Sequence, residues 1–549
     1  MSSAHRQTMQ VALNSLARAT CRANRYPSQK ISDAVFGHSL LLFCCKIFAR
    51  AWNGCSRQIP LYLAVLVFGC AGPDNYTHTL VFISPHRDEI RYEAEHGFSR
   101  WLAQQPGWEH ARVQFVWRDI GGGTSQIIRY LDAQYQTNPA TCGIDILWGG
   151  GTDIYLDLKS KGLLERCPLP EDVLDFLGPG EFAGIELRDP DGYWYGCMLT
   201  TLGIFYHRGV LARLGLADWQ PQRWWDFTDE RLAGYISAGD PRFSGSVHLL
   251  YEWILQVYGW ERGMELLLRL GANTRAFGRS SDSVSRDVVI GKAACTGTLD
   301  FYALTAMARE HEQVRRGWAD SVELGLVFPV GETILNPDSI AILKGAPHVE
   351  LARLFITWCL SEVGQQTWML EPIPADAVAE SHNSASEISP HTLRQRYPGA
   401  PVRYRICRLS IAEKLYDAAK YPLEMRSVPI NPFQMLREAP PDRPVPRYNN
   451  RLAEARRRAL DDLVGAWILD SHSELRAAWE AVRALPRHQR APLEKDLFAP
   501  PCEESVLFAL RSDLADPRRR IAIVTDWLRQ ARNRYQSIRT TAQRYLATR

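Results

Sequence analysis

Two glycine runs, each followed by a threonine, are the residues of this chain best suited to bind a small ligand. In VQFVWRDIGGGTSQII and in IDILWGGGTDI, an apolar stretch leads into Gly121–Gly123 or Gly149–Gly151 and then into a helical pattern. Glycine permits positive φ and close approach of the backbone, and Thr124 and Thr152 are expected to cap the helices that follow. The pattern indicates either a cleft that binds a ligand at bare backbone or a tight turn without a ligand, and both interpretations stay open.

Neither glycine run matches a nucleotide-phosphate motif. A dinucleotide fingerprint that started at Gly149 would need a third glycine where Ile154 stands, and a P-loop would need Gly-Lys-Ser/Thr. The chain also lacks a Gly-x-Ser-x-Gly elbow and a His-Glu-x-x-His motif, and no pair of carboxylates compels acid-base chemistry. We therefore predict a binding protein and not an enzyme, with a secreted hydrolase as the weaker alternative.

Segments with strand and helix patterns alternate from residue 79 onward. TLVFIS, VQFVW and IDILW are predicted strands, and the segments between them repeat apolar residues at helical spacing. Such alternation predicts a parallel, doubly wound sheet, in which ligands lie beyond the carboxyl ends of the strands. Those ends carry Ser84-Pro85-His86 and the two glycine runs. Three helix N-termini are therefore expected at one crevice, which favours an anion or an anionic chelate.

A second α/β block is predicted from about Gly203. In this block, Asp240-Pro241 precedes Ser244-Gly245-Ser246 at the start of a helical segment, VHLLYEWILQVYGW. ANTRAFGRSSDSV, which contains Ser280, and AACTGTLDFYALTAMAREHE, which contains Tyr302, continue the strand-turn-helix pattern. Serines and glycines at helix starts again suit a small anion.

Length and composition restrict the protein class. The 549 residues predict two or three domains. The 64 basic and 61 acidic residues give a net charge of +3, which carries no electrostatic footprint for nucleic acid. The cysteines beyond residue 70 are widely spaced and form no Cys-x-x-Cys or zinc pattern, so neither a disulfide framework nor a metal cluster is predicted.

An apolar run near the N-terminus, Leu61–Phe68, follows Arg57 and ends at Gly69 and Cys70. The run is too short to span a bilayer and fits the apolar region of a secretory signal. The residues VFGC resemble the bacterial lipobox, in which the cysteine is lipidated, although Phe68 departs from the usual small or β-branched residue. We expect lipidation at Cys70 and a periplasmic or cell-surface location, and a plain signal peptide or a buried strand are the alternatives.

Over about residues 79–371 the chain resembles the type II periplasmic solute-binding proteins of ABC importers. The resemblance rests on GIFYHRGVLARLGL, on Asp240-Pro241 ahead of Ser244-Gly245-Ser246, and on NPDSIAILKGAPHVELARLFITWCLSEVGQQTW. It implies an α/β fold of two doubly wound lobes, joined by a hinge, that close over a ligand. An ABC permease is the partner that the resemblance implies.

Within that family the chain most resembles the ferric-ion binders, which hold iron with a histidine, a glutamate, two tyrosines and a synergistic anion. His86 matches the histidine, Tyr302 matches the second tyrosine, and Ser244-Gly245-Ser246 match the turn that holds the anion. Phe301 replaces the first tyrosine, and Trp148-Gly149-Gly150 stands where the glutamate is expected.

These departures leave the ligand open between Fe(III) and an organic anion. His86 and Tyr302 are too few ligands for Fe(III) unless Asp153, Asp282 or a bound anion completes the shell, so the metal site stays unknown and no cofactor is predicted. The residues predicted to contact the ligand are His86, Gly149, Gly150, Gly151, Thr152, Ser244, Gly245, Ser246, Ser280 and Tyr302.

The predicted organisation is a leader over residues 1–77, lobe 1 over 78–198 and 331–400, lobe 2 over 199–330, a linker over 401–450, and a helical C-terminal extension over 451–549. The predicted function is that of an extracellular lipoprotein that delivers a small ligand to an ABC importer, the ligand being ferric ion with an anion or a phosphonate or phosphate-type organic anion. A ligand-sensing receptor module is the alternative function.

Overall fold

The computed structural model describes residues 76–548 except residues 122, 183, 374–389, 442, 443 and 445. Residues 1–75 of the predicted leader, with Cys70, lie outside the described part. No helix in the part that is described combines the length and the apolar composition needed to cross a bilayer.

Lobe 1 begins with the predicted strand-helix alternation. β1 (His78–Ile83) pairs in parallel with β2 (Val113–Arg118) and with β3 (Ile146–Trp148). The helices that follow these strands are α1 (Asp88–Leu102), α2 (Thr124–Thr137) and α3 (Thr152–Ser160). The short elements β4 (Leu164–Glu165), α4 (Glu171–Leu177), β5 (Glu181–Phe182) and β6 (Ile185–Glu186) follow.

The long strand β7 (Tyr195–His207) crosses from lobe 1 into lobe 2. Lobe 2 contains β8 (Ile236–Gly239), β9 (Thr274–Gly278), β10 (Cys295–Leu299) and β11 (Leu324–Val327), and β8 pairs in parallel with β9 and β10. Its helices are α5 (Arg208–Arg213), α6 (Gly245–Tyr258), α7 (Trp260–Asn273), α8 (Ser281–Val289) and α9 (Asp300–Arg315). The predicted α/β architecture with two doubly wound lobes is confirmed.

Two antiparallel strands join the lobes. β12 (Leu335–Leu343) pairs with the first half of β7 and with β3, and it returns the chain to lobe 1. The second half of β7 pairs with β10 and β11 in lobe 2. A change of backbone direction in β7 and β12 would therefore move one lobe relative to the other.

The chain then completes lobe 1. α10 (Val349–Leu360), α11 (Glu362–Met369), α12 (Pro390–Arg396), β13 (Leu409–Ser410) and α13 (Pro432–Arg437) follow in order. Residues 401–450 differ from a solvated linker, because Leu409, Leu415 and Phe433 are buried in the same apolar core as β1 and α10. Their apolar side chains are spaced irregularly among prolines and arginines, so no periodic pattern reveals this burial.

The C-terminal residues are helical, as predicted, and they pack on lobe 2. They form α14 (Asn450–Val464), α15 (His472–Arg483), α16 (Arg487–Leu497), α17 (Glu504–Ala509), α18 (Arg511–Ala515) and α19 (Pro517–Ala547). Leu460, Leu463 and Trp467 share one core with α6 and α7. Next to this core, Arg456 Nη1 lies 2.9 Å from Glu252 Oε1, and both side chains are buried. The region is therefore an integral part of the lobe 2 side of the molecule.

Candidate ligand-binding cleft

A cleft of about 1070 Å³ lies between the two lobes and is lined by residues of both. From lobe 1 its wall includes Ser84, Gly121 and Gly150, which follow β1, β2 and β3. From lobe 2 it includes Ser244 and Ser280, which follow β8 and β9. The structure thus brings the strand ends that were predicted from the sequence together at one site.

Within the described residues, six helices begin at the wall of this cleft. They are α1, α2 and α3 of lobe 1, and α6, α8 and α9 of lobe 2, each with its first residues or N-cap in the lining. The start of a helix presents backbone N–H groups without intrahelical partners and a partial positive charge. Six such starts at one cleft favour an anionic ligand.

The second glycine run forms a turn that only glycine fits. Gly149 has φ 104° and Gly150 has φ 95°, a region that other residues rarely adopt. A Cβ atom on Gly150 would lie 2.8 Å from Thr124 Cγ2. The Gly150 amide donates a hydrogen bond to Asp338 Oδ1 at 2.7 Å. Gly150 and Gly151 line the cleft, whereas Gly149 and Thr152 lie outside its lining.

The expected caps from Thr124 and Thr152 are not formed. Each threonine is the first residue of its helix, and the N-cap positions are Gly123 and Gly151, without a side-chain cap. The third glycine of each run takes the cap position, which leaves the backbone N–H groups of the first turn without a side-chain acceptor.

Serine hydroxyls form a chain on the lobe 2 wall. Ser244 Oγ lies 3.0 Å from Ser246 Oγ, which lies 2.7 Å from Ser281 Oγ. Gly245 is in close contact with lobe 1, because a Cβ atom on it would lie 3.2 Å from Thr124 Cβ. Ser280 has a different role, since its Oγ accepts a hydrogen bond from the Ser283 amide at 3.1 Å and caps α8.

His86 lies in the cleft wall and is engaged by the protein itself. Its Nε2 donates to Asp338 Oδ2 at 3.1 Å, since an ionised carboxylate can only accept, and its ring packs edge-on against Trp148. Burial, and then the charges of Arg408 and Arg91, lower the pKa of His86 well below its ordinary value. His86 is therefore a neutral imidazole whose Nε2 is already bound.

Tyr302 also lines the cleft, on the lobe 2 side. Its ring centroid is 4.0 Å from that of Phe301, and the Arg87 guanidinium lies 4.5 Å over the Tyr302 ring. Burial raises the pKa of Tyr302, so its phenol is protonated at neutral pH. In the described part of the chain, no three His, Cys, Asp or Glu side chains are grouped to hold a metal ion.

Three buried ionisable residues were not predicted: Asp338 in the lining of the cleft, and Asp300 and Arg408 outside that lining. Arg408 forms an ion pair with Asp338, and its guanidinium lies 4.1 Å over the Phe301 ring. Burial raises the pKa of Asp300, the first residue of α9, to about 7. Asp338 stands in the NPDSI segment that carried the resemblance, so a signal existed for it, whereas Arg408 comes from the segment predicted to be a linker.

Arginines of the cleft differ in their pairing. The Arg279 guanidinium lies 4.1 Å over the Phe243 ring, and it has no carboxylate partner among the residues that the structure describes. Arg91 donates to the Ser84 carbonyl at 3.2 Å, and its ion-pair partner among the described residues is the exposed Asp88, at 3.7 Å. These two cations are available to an anionic ligand.

Ion pairs also connect the lobes across the cleft. Arg87 of lobe 1 pairs with Asp282 of lobe 2, and Arg309 of lobe 2 lies 3.2 Å from Glu89 of lobe 1. These pairs form only when the lobes are close together, so the arrangement is a closed one.

Comparison with known proteins finds a family model that matches the central part of the chain. Residues 145–397 match the family model described as bacterial extracellular solute-binding protein. An uncharacterized protein of Haemophilus influenzae is 28% identical over 276 residues, which span 49% of this chain and 72% of that protein. The phosphoglycerate transport regulatory protein PgtC of Salmonella typhimurium is 26% identical over 227 residues, which span 40% of this chain and about half, 52%, of PgtC.

Two solved structures also match part of the chain, both with low identity. The periplasmic binding protein AfuA from Actinobacillus pleuropneumoniae, with fructose-6-phosphate bound, is 22% identical, and the match covers 53% of this chain and 82% of that one, with a TM-score of 0.44. Iron-bound HitA from Pseudomonas aeruginosa is 17% identical, and the match covers 52% of this chain and 82% of that one, with a TM-score of 0.40.

Proposed function

We propose that this chain binds a small organic anion in its cleft and delivers it to an ABC importer. The proposal starts from the match of residues 145–397 to the model of bacterial extracellular solute-binding proteins. A solute-binding role is common to the family. The class of ligand and the delivery to a permease are the proposal.

The observation that carries the proposal is the convergence of six helix starts, serine hydroxyls and the unpaired Arg279 on one cleft. Helix starts and hydroxyls donate hydrogen bonds, and Arg279 adds a full positive charge. A phosphate ester or a phosphonate accepts several such bonds at once. The cleft of about 1070 Å³ is larger than a bare phosphate needs, and it has the size of pockets that hold organic molecules, which are roughly 300 to 1000 Å³.

The described residues favour an anion over ferric ion. Fe(III) prefers anionic oxygen ligands, but Phe301 offers none, and His86 is bound to Asp338. The name of PgtC refers to phosphoglycerate, and this supports a phosphate ester as the first compound to test.

Calorimetry and thermal unfolding with 3-phosphoglycerate, fructose 6-phosphate, inorganic phosphate and ferric citrate test this proposal. We expect a phosphate ester to raise the melting temperature without metal, because a ligand that binds only the native state stabilises it by RT ln(1 + [L]/Kd). Arg279→Gln should weaken that binding about tenfold, the effect of losing one charge-assisted hydrogen bond. Arg275→Gln, an exposed arginine outside the cleft lining, is the matched control.

Strong visible colour with Fe(III), together with indifference to every anion, would contradict the anion proposal and restore the ferric one. Release of phosphate from an ester by the purified protein would instead support the hydrolase alternative.

A sensing role is the second candidate, because PgtC is named a transport regulatory protein. Uptake of labelled ligand by a host that lacks this protein separates the two roles. Delivery requires that uptake is lost even when the permease is expressed constitutively. A sensor would leave that uptake intact, and only the transcriptional response to the ligand would disappear.

We also propose that the mature protein is held at the extracytoplasmic surface by lipid on Cys70. The proposal rests on the VFGC sequence and on the extracellular character of the family. Cys70→Ser should release soluble protein or leave an unprocessed precursor, as seen by cell fractionation and mass spectrometry. Unchanged membrane attachment without lipid in Cys70→Ser would refute the lipobox.

A further inference from the structure

The chain beyond residue 397, where the family match ends, contributes two side chains to the cleft. Tyr404 and Arg457 both line it. Arg457 belongs to α14, and its Nη1 lies 3.5 Å from Oδ2 of Asp153, in the first turn of α3. Both side chains are about one quarter exposed, at 26% for Arg457 and 24% for Asp153. The first C-terminal helix, α14, therefore contributes a side chain to the wall of the cleft.

Arg457 is held on the lobe 2 side by the residues around it in α14. The preceding residue, Arg456, forms a buried ion pair with Glu252 of α6. Asp461, one turn further along α14, lies 2.7 Å from His248 of α6. Asp153 is on lobe 1, so the pair between Arg457 and Asp153 spans the cleft.

Asp153 opposes anion binding at the place where the glycine turn favours it. A carboxylate in the first turn of α3 offsets the partial positive charge of that helix start, and it repels a second anion near Gly150 and Gly151. Arg457 neutralises this carboxylate. With Arg457 in place, the two charges of the pair cancel, and without it the carboxylate of Asp153 is left without a cation at the α3 start.

We propose that Arg457 is a specificity-determining residue that selects ligands with two anionic groups. One group lies against the serine hydroxyls and Arg279, and the other lies at the α3 start, where Arg457 cancels the charge of Asp153. This inference rests on the proposed binding of a phosphate ester, and it adds that the ester carries a second acidic group such as a carboxylate.

Calorimetry of the full chain with 3-phosphoglycerate and with glycerol 3-phosphate tests the inference, because the two esters have the same carbon count and only the first carries a carboxylate. Arg457→Gln should weaken the binding of 3-phosphoglycerate about tenfold and the binding of glycerol 3-phosphate by less than about threefold. The reason is that the unpaired Asp153 repels the second anionic group, which only 3-phosphoglycerate carries. Arg458→Gln is the control, because Arg458 is exposed and outside the cleft lining.

The double variant Asp153→Asn with Arg457→Gln distinguishes a charge effect from a structural one. It should recover most of the affinity for 3-phosphoglycerate, since both charges of the pair are removed together. The inference would be overturned if Arg457→Gln weakened the binding of both esters equally or of neither, or if the double variant did not recover the affinity for 3-phosphoglycerate. These outcomes would leave the proposed function intact. Wild-type protein that binds neither ester would overturn the proposed function, and the inference with it.

Discussion

At the scale of single residues, Gly150 and Gly121 allow steric exclusion to be separated from backbone strain. Both line the cleft with positive φ, 95° and 69°, but a Cβ atom would meet Thr124 at Gly150 and nothing within 4 Å at Gly121. Gly121→Ala should cost only the left-handed strain of about 1 to 2 kcal/mol. Gly150→Ala should cost more in urea unfolding and weaken phosphate-ester binding at least tenfold. Equal losses in the two variants would contradict the packing of Thr124 against the turn.

Asp300 should make the stability of the protein fall as pH rises through neutrality. Burial raises the pKa of Asp300 to about 7 in the folded state, whereas an unfolded chain has an ordinary value of about 4. The folded state therefore binds more protons between these values, and the free energy of unfolding decreases across that range as pH rises. Between pH 4.5 and pH 8, the free energy of unfolding of the wild-type protein should decrease by on the order of 2 to 4 kcal/mol through this group, and Asp300→Asn should abolish that decrease. An unchanged pH profile in Asp300→Asn would contradict this assignment.

At the scale of elements, the buried pair between α14 and α6 adds to the apolar core that holds the C-terminal helices on lobe 2. Arg456→Met would leave Glu252 buried without its cation, which should cost about 3 to 5 kcal/mol in urea unfolding. Replacing Arg456 and Glu252 by apolar residues, as Glu252→Leu with Arg456→Met, should recover most of that loss, because the other partner of Arg456, Glu504, is 30% exposed and stays hydrated. A double variant as unstable as Arg456→Met alone would show that the pair does not hold the two helices together.

At the scale of the whole molecule, the ligand should change the distance between the lobes. The pairs Arg87–Asp282 and Arg309–Glu89 span the cleft, and β7 and β12 are the strands that join the lobes. A ligand that contacts both lobes favours the closed state only through its higher affinity for that state. Small-angle scattering should therefore show a smaller radius of gyration with 3-phosphoglycerate than without it. An identical curve at saturation would contradict closure by this ligand.

The sequence by itself determined the α/β alternation, the strand ends that form the cleft and the resemblance to solute-binding proteins. These features depend on local periodicity and on glycine, whose conformational freedom is a property of the residue. Only the tertiary structure decided which partner each site residue has. His86 and Asp338 are 252 positions apart, and Arg457 reaches Asp153 from a helix that the sequence placed in an extension. Local patterns carry no information about such pairs, because packing of the lobes and of the C-terminal helices brings them together.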